Sequence, residues 1–217
     1  LAAPGTDFES DLQYISIIGS IEGHIALPME NKTTKYEHLI PQLIAVEENP
    51  KLRGLLVILN TMGGDVEAGL ALAEMIATLS KPTVSLVLGG GHSIGIPLAT
   101  ATDYSFIAGT ATMTLHPIRT TGLVITAETT FDYMRKTQDR VIDFIAGHSR
   151  ATRKRVTELM NCSDNMSNDV GTILFGKEAV DAGIIDAVGG VSQALGELRR
   201  RVAKVDELEK EISISTD

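Results

Sequence analysis

The sequence has few positive charges, a single cysteine and no long uninterrupted apolar stretch. Its 19 Lys and Arg residues against 28 Asp and Glu residues give a formal net charge of −9. A nucleic-acid partner is therefore not expected, because phosphate binding needs clustered Lys and Arg. No run of about 18 apolar residues occurs, which is the length a membrane-spanning helix requires, so we expect no membrane span.

The lone Cys162 cannot form an internal disulfide, which fits a reducing compartment. The sequence also lacks a charged segment followed by an apolar stretch of the signal-peptide type. These two features predict a cytoplasmic location. Dense clusters of metal-ligating residues and nucleotide-binding glycine motifs are missing as well, so no metal and no other cofactor is predicted.

Strand-like and helix-like segments alternate along the chain. Continuous apolar runs such as 52–60 and 83–88 are typical of strands that are buried on both faces of a parallel sheet. Segments such as 36–46, 126–147 and 191–212 show the apolar spacing of amphipathic helices. This alternation predicts an α/β fold with a mostly parallel sheet and right-handed crossovers.

The segment 86–100, LVLGGGHSIGIPLAT, joins a strand to a helix and contains Ser93. Proline is harmless in the first turn of a helix, where its missing N–H would have no partner in any case, so Pro97 indicates that this helix begins near Ser93. The hydroxyl then lies at the positive end of the helix dipole, beside the Ile94 amide. Two interpretations remain open, a nucleophile and a simple helix cap. The G-x-S-x-G pattern is that of α/β-hydrolases, but the order of the other candidate residues conflicts with that fold.

Two further positions are suited to catalysis. His116 ends an alternating strand and precedes Pro117, which keeps the histidine extended at the strand exit, as a rigid general base requires. Gly63 and Gly64 lie between a strand and a helix, where their backbone N–H groups can hold an oxyanion. A turn that simply needs positive φ is the alternative explanation for the glycine pair.

Together these segments resemble the Clp peptidase family, the ClpP-like serine proteases of the crotonase-type fold. The resemblance covers about residues 14–190 and rests on four motifs in the family's order: LNTMGGDVEAG, GGGHSIG, TMTLHPI and EAVDAGIID. The HPIR and GHSIG variants are most similar to the translocation-enhancing TepA subgroup. The resemblance implies repeated ββα units with a mostly parallel sheet and a protruding helical handle. We expect a flexible N-terminus at 1–13, a peptidase domain at 14–190 and a C-terminal helix and tail at 191–217.

By this resemblance the chain is a serine endopeptidase with Ser93 as nucleophile and His116 as base. The amide of Ile94 and one amide of the Gly63-Gly64 pair would form the oxyanion hole. The resemblance further implies peptide or unfolded-protein substrates and a homo-oligomeric ring or double ring with the sites facing an inner chamber. A separate ATP-dependent unfoldase is a possible partner.

The third member of the implied Ser-His-Asp triad is Asp169, and Asp164 is the alternative. Counted back from Glu178 without a gap, the family's aspartate falls on Gly171. A two-residue insertion after Asp169 would restore the match.

The long helix at 126–147 carries more apolar residues than a free surface helix needs: Phe131, Met134, Val141, Ile142 and Ile145. They fit a contact between rings, and equally burial in the chain's own core. Three other functions compete with the peptidase: an acyl-CoA hydratase or isomerase of the crotonase fold, a serine/lysine peptidase using Lys81, and a non-catalytic ring subunit.

Overall fold

The computed structural model describes residues 10–119, 126–163 and 170–215. Within these ranges the strands are Leu12–Glu22 (β1), Thr33–Lys35 (β2), Gly54–Gly64 (β3), Thr83–Gly91 (β4), Tyr104–Ile107 (β5), Thr112–Leu115 (β6), Thr172–Phe175 (β7) and Ala187–Val188 (β8). The helices are Tyr36–Glu48 (α1), Val66–Ala77 (α2), Gly95–Thr100 (α3), Ala127–Gly147 (α4), Arg153–Met160 (α5), Gly176–Asp181 (α6) and Val191–Ser215 (α7).

The strands form one sheet in the order β2-β1-β3-β4-β5-β8, and every pair along this path is parallel. β6 branches from the end of β4 and pairs antiparallel with β7. The predicted α/β fold with a mostly parallel sheet is therefore confirmed. None of the helices in the described ranges combines the length and the apolar character needed to cross a bilayer.

The continuous apolar run of β3 reflects burial on both faces of the sheet. Leu55, Val57 and Leu59 point into the larger core, which helices α1 to α6 cover. Leu56 belongs to a second core on the opposite face, where Leu198 of α7 packs. Because side chains alternate along a strand, one strand can supply both cores only if every position is apolar.

The turn after β3 places α2 through a side-chain cap. The Asp65 carboxylate accepts a hydrogen bond of 2.8 Å from the Ala68 N–H and satisfies one of the first free amides of α2. The sequence PTVSLVLGGG then gives β4, which runs parallel to β3 and ends beside it. The exits of β3, β4 and β6 therefore converge at one edge of the sheet.

Several boundaries differ from those predicted. The three- and four-residue strands β2 and β7 were not expected. Pro41 occupies the sixth position of α1 rather than its first turn. The predicted helix at 93–102 begins at Gly95, two residues later than expected. Residues 1–9 lie outside the described ranges, and the division at 13 and 190 stays a prediction.

The second core gives a test of how α7 is held. Replacing Leu198, which is fully buried, by alanine should lower the free energy of unfolding by about 2–5 kcal/mol because it removes packed methyl groups and leaves a cavity. The measurement is chemical denaturation. Leu208→Ala on the same helix is the control, since Leu208 is 48% exposed and should change stability by less than about 0.5 kcal/mol. Equal losses for the two variants would contradict this packing.

Candidate active site

Ser93 lies in a strained turn between β4 and α3. Its φ angle is +56°, in the left-handed region that non-glycine residues rarely adopt. This conformation costs roughly 1–2 kcal/mol for an L-residue. Because Ile94 is the N-cap residue of α3 and no side chain caps that helix, the helix-cap interpretation of Ser93 is wrong. A serine held in a strained strand-to-helix turn is the arrangement that exposes a nucleophile.

The turn is held from both sides by main-chain hydrogen bonds. The His92 N–H donates to the Thr61 carbonyl of β3 at 3.1 Å, and the Ser93 N–H donates to the Thr114 carbonyl of β6 at 2.9 Å. The Gly95 N–H closes the turn onto the His92 carbonyl at 2.9 Å. The strands β3 and β6 and the first residue of α3 therefore fix the backbone around Ser93.

The glycine pair at the end of β3 packs against this turn. A Cβ built on Gly63, whose φ is +93°, would lie 2.7 Å from Ser93 Cβ. Gly64 has a φ of +152°, and a Cβ there would lie 2.2 Å from the Ile21 carbonyl oxygen. Both positions need glycine for conformation and for space. The Gly63 N–H donates to Thr61 Oγ1 at 3.1 Å.

His116 follows β6 directly and is half-buried. Its Nδ1 lies 2.7 Å from the Pro117 carbonyl oxygen. Because a carbonyl can only accept, Nδ1 carries the proton and Nε2 is left with a lone pair. This is the tautomer in which Nε2 can accept a proton.

Ser93, Ile94, Gly64 and His116 line one cavity of about 140 Å³. The rest of its wall is largely apolar: Val66, Ile96, Leu115, Ile118, Val141, Ile145 and Met160, with Arg119 beside them. The structure thus brings together four of the six predicted site residues, and Gly63 contacts Ser93 from behind the turn.

The hydrogen bonds of the predicted triad are not formed in the part of the chain that is described. There, neither Ser93 Oγ nor any carboxylate is hydrogen-bonded to the His116 ring, whose Nδ1 faces the Pro117 carbonyl instead. Asp169 and its alternative Asp164 both lie outside the described residues. Within the described ranges, no group of three or more His, Cys, Asp or Glu side chains could hold a metal ion.

Gly171 contacts His116, and its role was missed in the sequence. Its φ is +141°, and a Cβ at this position would lie 3.0 Å from His116 Cβ. The contact follows from the β6–β7 pairing, which sets Leu115 opposite Thr172. The sequence did contain a signal for this position, because the family's aspartate, counted back from Glu178 without a gap, falls on Gly171.

Two titratable groups near the site have shifted pKa values. Burial lowers the pKa of His92, and the positive charge of nearby His116 lowers it further. A hydrogen bond from Arg140 lowers the pKa of Glu67, and the charge of Arg140 adds to this. The Arg140 guanidinium binds both Glu67 oxygens, at 2.6 and 3.0 Å, and so ties α4 to the first turn of α2.

Comparison with known proteins shows which family the chain is similar to. A family model described as Clp protease matches residues 10–192. The translocation-enhancing protein TepA of Halalkalibacterium halodurans is 57% identical over 196 residues, which cover 90% of this chain and 77% of that protein. An ATP-dependent Clp protease proteolytic subunit of Streptococcus uberis is 25% identical over 162 residues, covering 69% of this chain and 76% of that protein. The predicted ClpP/crotonase-type fold is confirmed by the family match.

The contact between Gly63 and Ser93 can be tested by adding one methyl group. Gly63→Ala should lower the free energy of unfolding by about 1–3 kcal/mol, because the new Cβ overlaps Ser93 Cβ and the positive φ disfavours alanine. Chemical denaturation measures the change. Gly109→Ala is the matched control, since no atom lies within 4 Å of a Cβ built there. Unaltered stability of Gly63→Ala would contradict the close approach.

Proposed function

The chain belongs to the Clp protease family, and on that premise we propose that it is a serine endopeptidase that cleaves extended peptides or unfolded proteins. Family membership supports a ClpP-like, peptidase-related function. The proposal goes further and assigns Ser93 as nucleophile, His116 as general base and Asp169 as the residue that orients the base. The observation that carries it is the strained Ser93 turn opening into the cavity that His116 also lines.

In the proposed reaction His116 Nε2 takes the Ser93 proton as the serine oxygen attacks the peptide carbonyl carbon. The tetrahedral oxyanion collapses, the C–N bond breaks, and the imidazolium gives its proton to the leaving amine. Water then hydrolyses the acyl-serine by the same steps. This requires the Ser93 hydroxyl and the His116 ring to come within hydrogen-bond distance, which apo sites reach only on binding substrate in many enzymes.

The oxyanion hole is proposed to consist of the Ile94 N–H and one N–H of the Gly63-Gly64 pair. The Ile94 N–H donates a hydrogen bond to none of the described residues, so it is available to a ligand. Gly64 lines the cavity beside it. One such donor typically contributes about 2.7–4 kcal/mol to lowering the barrier.

Asp169 is supported as the third residue by chain connectivity. Gly171 contacts His116, and Asp169 lies two residues before Gly171 in the sequence. Two peptide units span at most about 7 Å, which keeps Asp169 within reach of the histidine. Asp164 stays the alternative, because it lies two residues after Cys162, whose carbonyl accepts the Gly171 N–H at 2.7 Å.

Two rival functions are less well supported by the cavity. An acyl-CoA hydratase uses carboxylates as acid and base, and none of the residues described as lining the cavity is Asp or Glu. A serine/lysine peptidase needs a lysine near the serine. Lys81 instead donates to the Val46 and Asn49 carbonyls at 2.6 and 2.7 Å, at the C-terminal end of α1.

The proposed ring assembly is supported by the uneven burial of α4. In its first half Phe131 and Tyr133 are 68% and 62% exposed. In its second half Val141, Ile142 and Ile145 are buried in the chain's own core. The apolar residues of α4 therefore fall into an exposed group in the first half and a buried group in the second half. The exposed group is the part available to a neighbouring ring. A separate ATP-dependent unfoldase and a cytoplasmic location complete the proposal.

Labelling with a fluorophosphonate probe tests the nucleophile. Ser93 should form a phosphonyl ester with loss of fluoride, located by mass spectrometry, and Ser93→Ala should abolish the adduct. His116→Ala should slow the reaction at least about a thousandfold, because the serine loses its base. Ser192→Ala is the control, since Ser192 is an exposed serine of α7 and should have no effect.

The same assay distinguishes the two aspartates. Asp169→Asn should slow labelling about a thousandfold or more, and Asp164→Asn should leave the rate unchanged. A folded wild-type protein that takes up no probe would contradict the peptidase and favour a non-catalytic ring subunit.

Native mass spectrometry tests the assembly. Phe131→Asp should halve the mass of a double ring, because it places a charge among the exposed apolar side chains of α4. Glu128→Gln in the first turn of the same helix should leave the mass unchanged. An assembly of unchanged mass in the Phe131 variant would exclude this part of the helix as the contact.

A further inference from the structure

The proposed nucleophile and base follow the ends of two strands, β4 and β6, that are joined by little backbone pairing. In the described part of the chain β4 and β6 register at the single pair Gly90 and Thr112. By contrast, β3 and β4 pair through five consecutive positions from Leu55 to Leu59. The separation of Ser93 from His116 therefore depends on contacts outside the regular sheet.

Two of those contacts meet at one residue, Thr114. Its carbonyl oxygen accepts the Ser93 N–H at 2.9 Å, and its hydroxyl lies 2.9 Å from His92 Nδ1. Thr114 is two residues before His116 on β6. Two consecutive residues of the serine turn thus hold the segment that leads to His116. Ser93 does so through its main-chain N–H, and His92 does so through its side chain.

The His92 ring is confined on its other side by β4. A Cβ built on Gly90 would lie 2.5 Å from His92 Nε2 and 2.7 Å from Cδ2, so the ring covers a position that only glycine permits. The main chain of His92 is also fixed, since its N–H donates to Thr61 and its carbonyl accepts from Gly95. The ring accordingly has little freedom to leave the Thr114 hydroxyl.

His92 does not line the cavity that contains Ser93 and His116. It faces a separate groove together with Asn60, Thr61 and Met62. Burial, together with the positive charge of His116, lowers the pKa of His92 and favours its neutral form. A neutral ring adds no second positive charge beside the imidazolium that forms during catalysis.

We infer that His92 is a positioning residue, whose hydrogen bond to the Thr114 hydroxyl sets the distance between Ser93 and His116. The inference rests on the proposed function, because it assigns a part in that same reaction. His92 acts through Thr114 and the serine turn and does not touch the substrate. Loss of the bond should therefore slow the chemical step and leave binding unchanged.

The test is the saturation kinetics of fluorophosphonate labelling at Ser93. His92→Ala should lower the maximal rate constant about ten- to a hundredfold, as expected when reacting groups are misplaced by about 1 Å. The half-saturating probe concentration should not change. His92→Leu, which fills much of the ring's volume without the hydrogen bond, should be as slow, whereas His92→Asn, with a polar atom near the Nδ1 position, should recover most of the rate.

Thr114 provides the second arm of the test. Thr114→Val should slow labelling as His92→Ala does, Thr114→Ser should preserve the rate, and the double variant should be no slower than the slower single variant. His148→Ala is the control, since His148 also has an Nδ1 hydrogen bond, 2.8 Å to the Phe144 carbonyl, but lies away from the cavity. Circular dichroism confirms that each variant is folded.

The outcomes separate this inference from the proposed function. A wild-type protein that takes no label overturns the proposed function and the inference with it. A labelled wild type whose folded His92→Ala variant reacts at the same maximal rate overturns the inference alone. A His92→Leu variant that recovers the rate would also overturn the inference alone. Additive effects of His92→Ala and Thr114→Val would do the same.

Discussion

The left-handed backbone of Ser93 is the constraint on which the site depends. An L-residue in this conformation is unfavourable by roughly 1–2 kcal/mol, so the surroundings must hold it. They do so through hydrogen bonds from the turn to Thr61 and Thr114. The crowding around the turn also requires glycine at two positions. A Cβ on Gly63 would overlap Ser93, and a Cβ on Gly95 would lie 2.7 Å from Thr61 Cγ2. The strain is thus distributed over two strands, β3 and β6, and the first residue of α3.

The parts of the fold that the sequence predicted are those with long periodic patterns. The buried strands β3 and β4 and the helix α4 have enough residues to show their period. The strands β2 and β7 have three and four residues, too few for a recognisable alternation. Pro41 lies on the exposed side of α1, where the missing N–H leaves no buried polar group without a partner.

The candidate site was predictable in its residue types but not in its conformation. Spacing placed Ser93 after a strand and His116 at a strand exit, and both positions are observed. The positive φ of Ser93 is held in part by a hydrogen bond to Thr114, a residue 21 positions away in the sequence. The same holds for α4, whose apolar residues look alike in the sequence. Only tertiary packing divides the buried Ile145 from the exposed Phe131.

A triad carboxylate normally does two things: it fixes the tautomer of the histidine, and it stabilises the imidazolium that forms. The hydrogen bond between His116 Nδ1 and the Pro117 carbonyl does the first of these. A carbonyl acceptor fixes the tautomer, so Nε2 is ready to take a proton without any carboxylate. The imidazolium would make a charge-assisted hydrogen bond to the carbonyl, but the carbonyl lacks the full negative charge by which a carboxylate stabilises that cation. Under the proposed mechanism the aspartate is therefore needed mainly for its charge, at the moment when His116 becomes protonated. Under that mechanism it must displace or supplement Pro117 at Nδ1 to provide that charge. Gly171, two residues after Asp169 in the sequence, contacts the Cβ of His116.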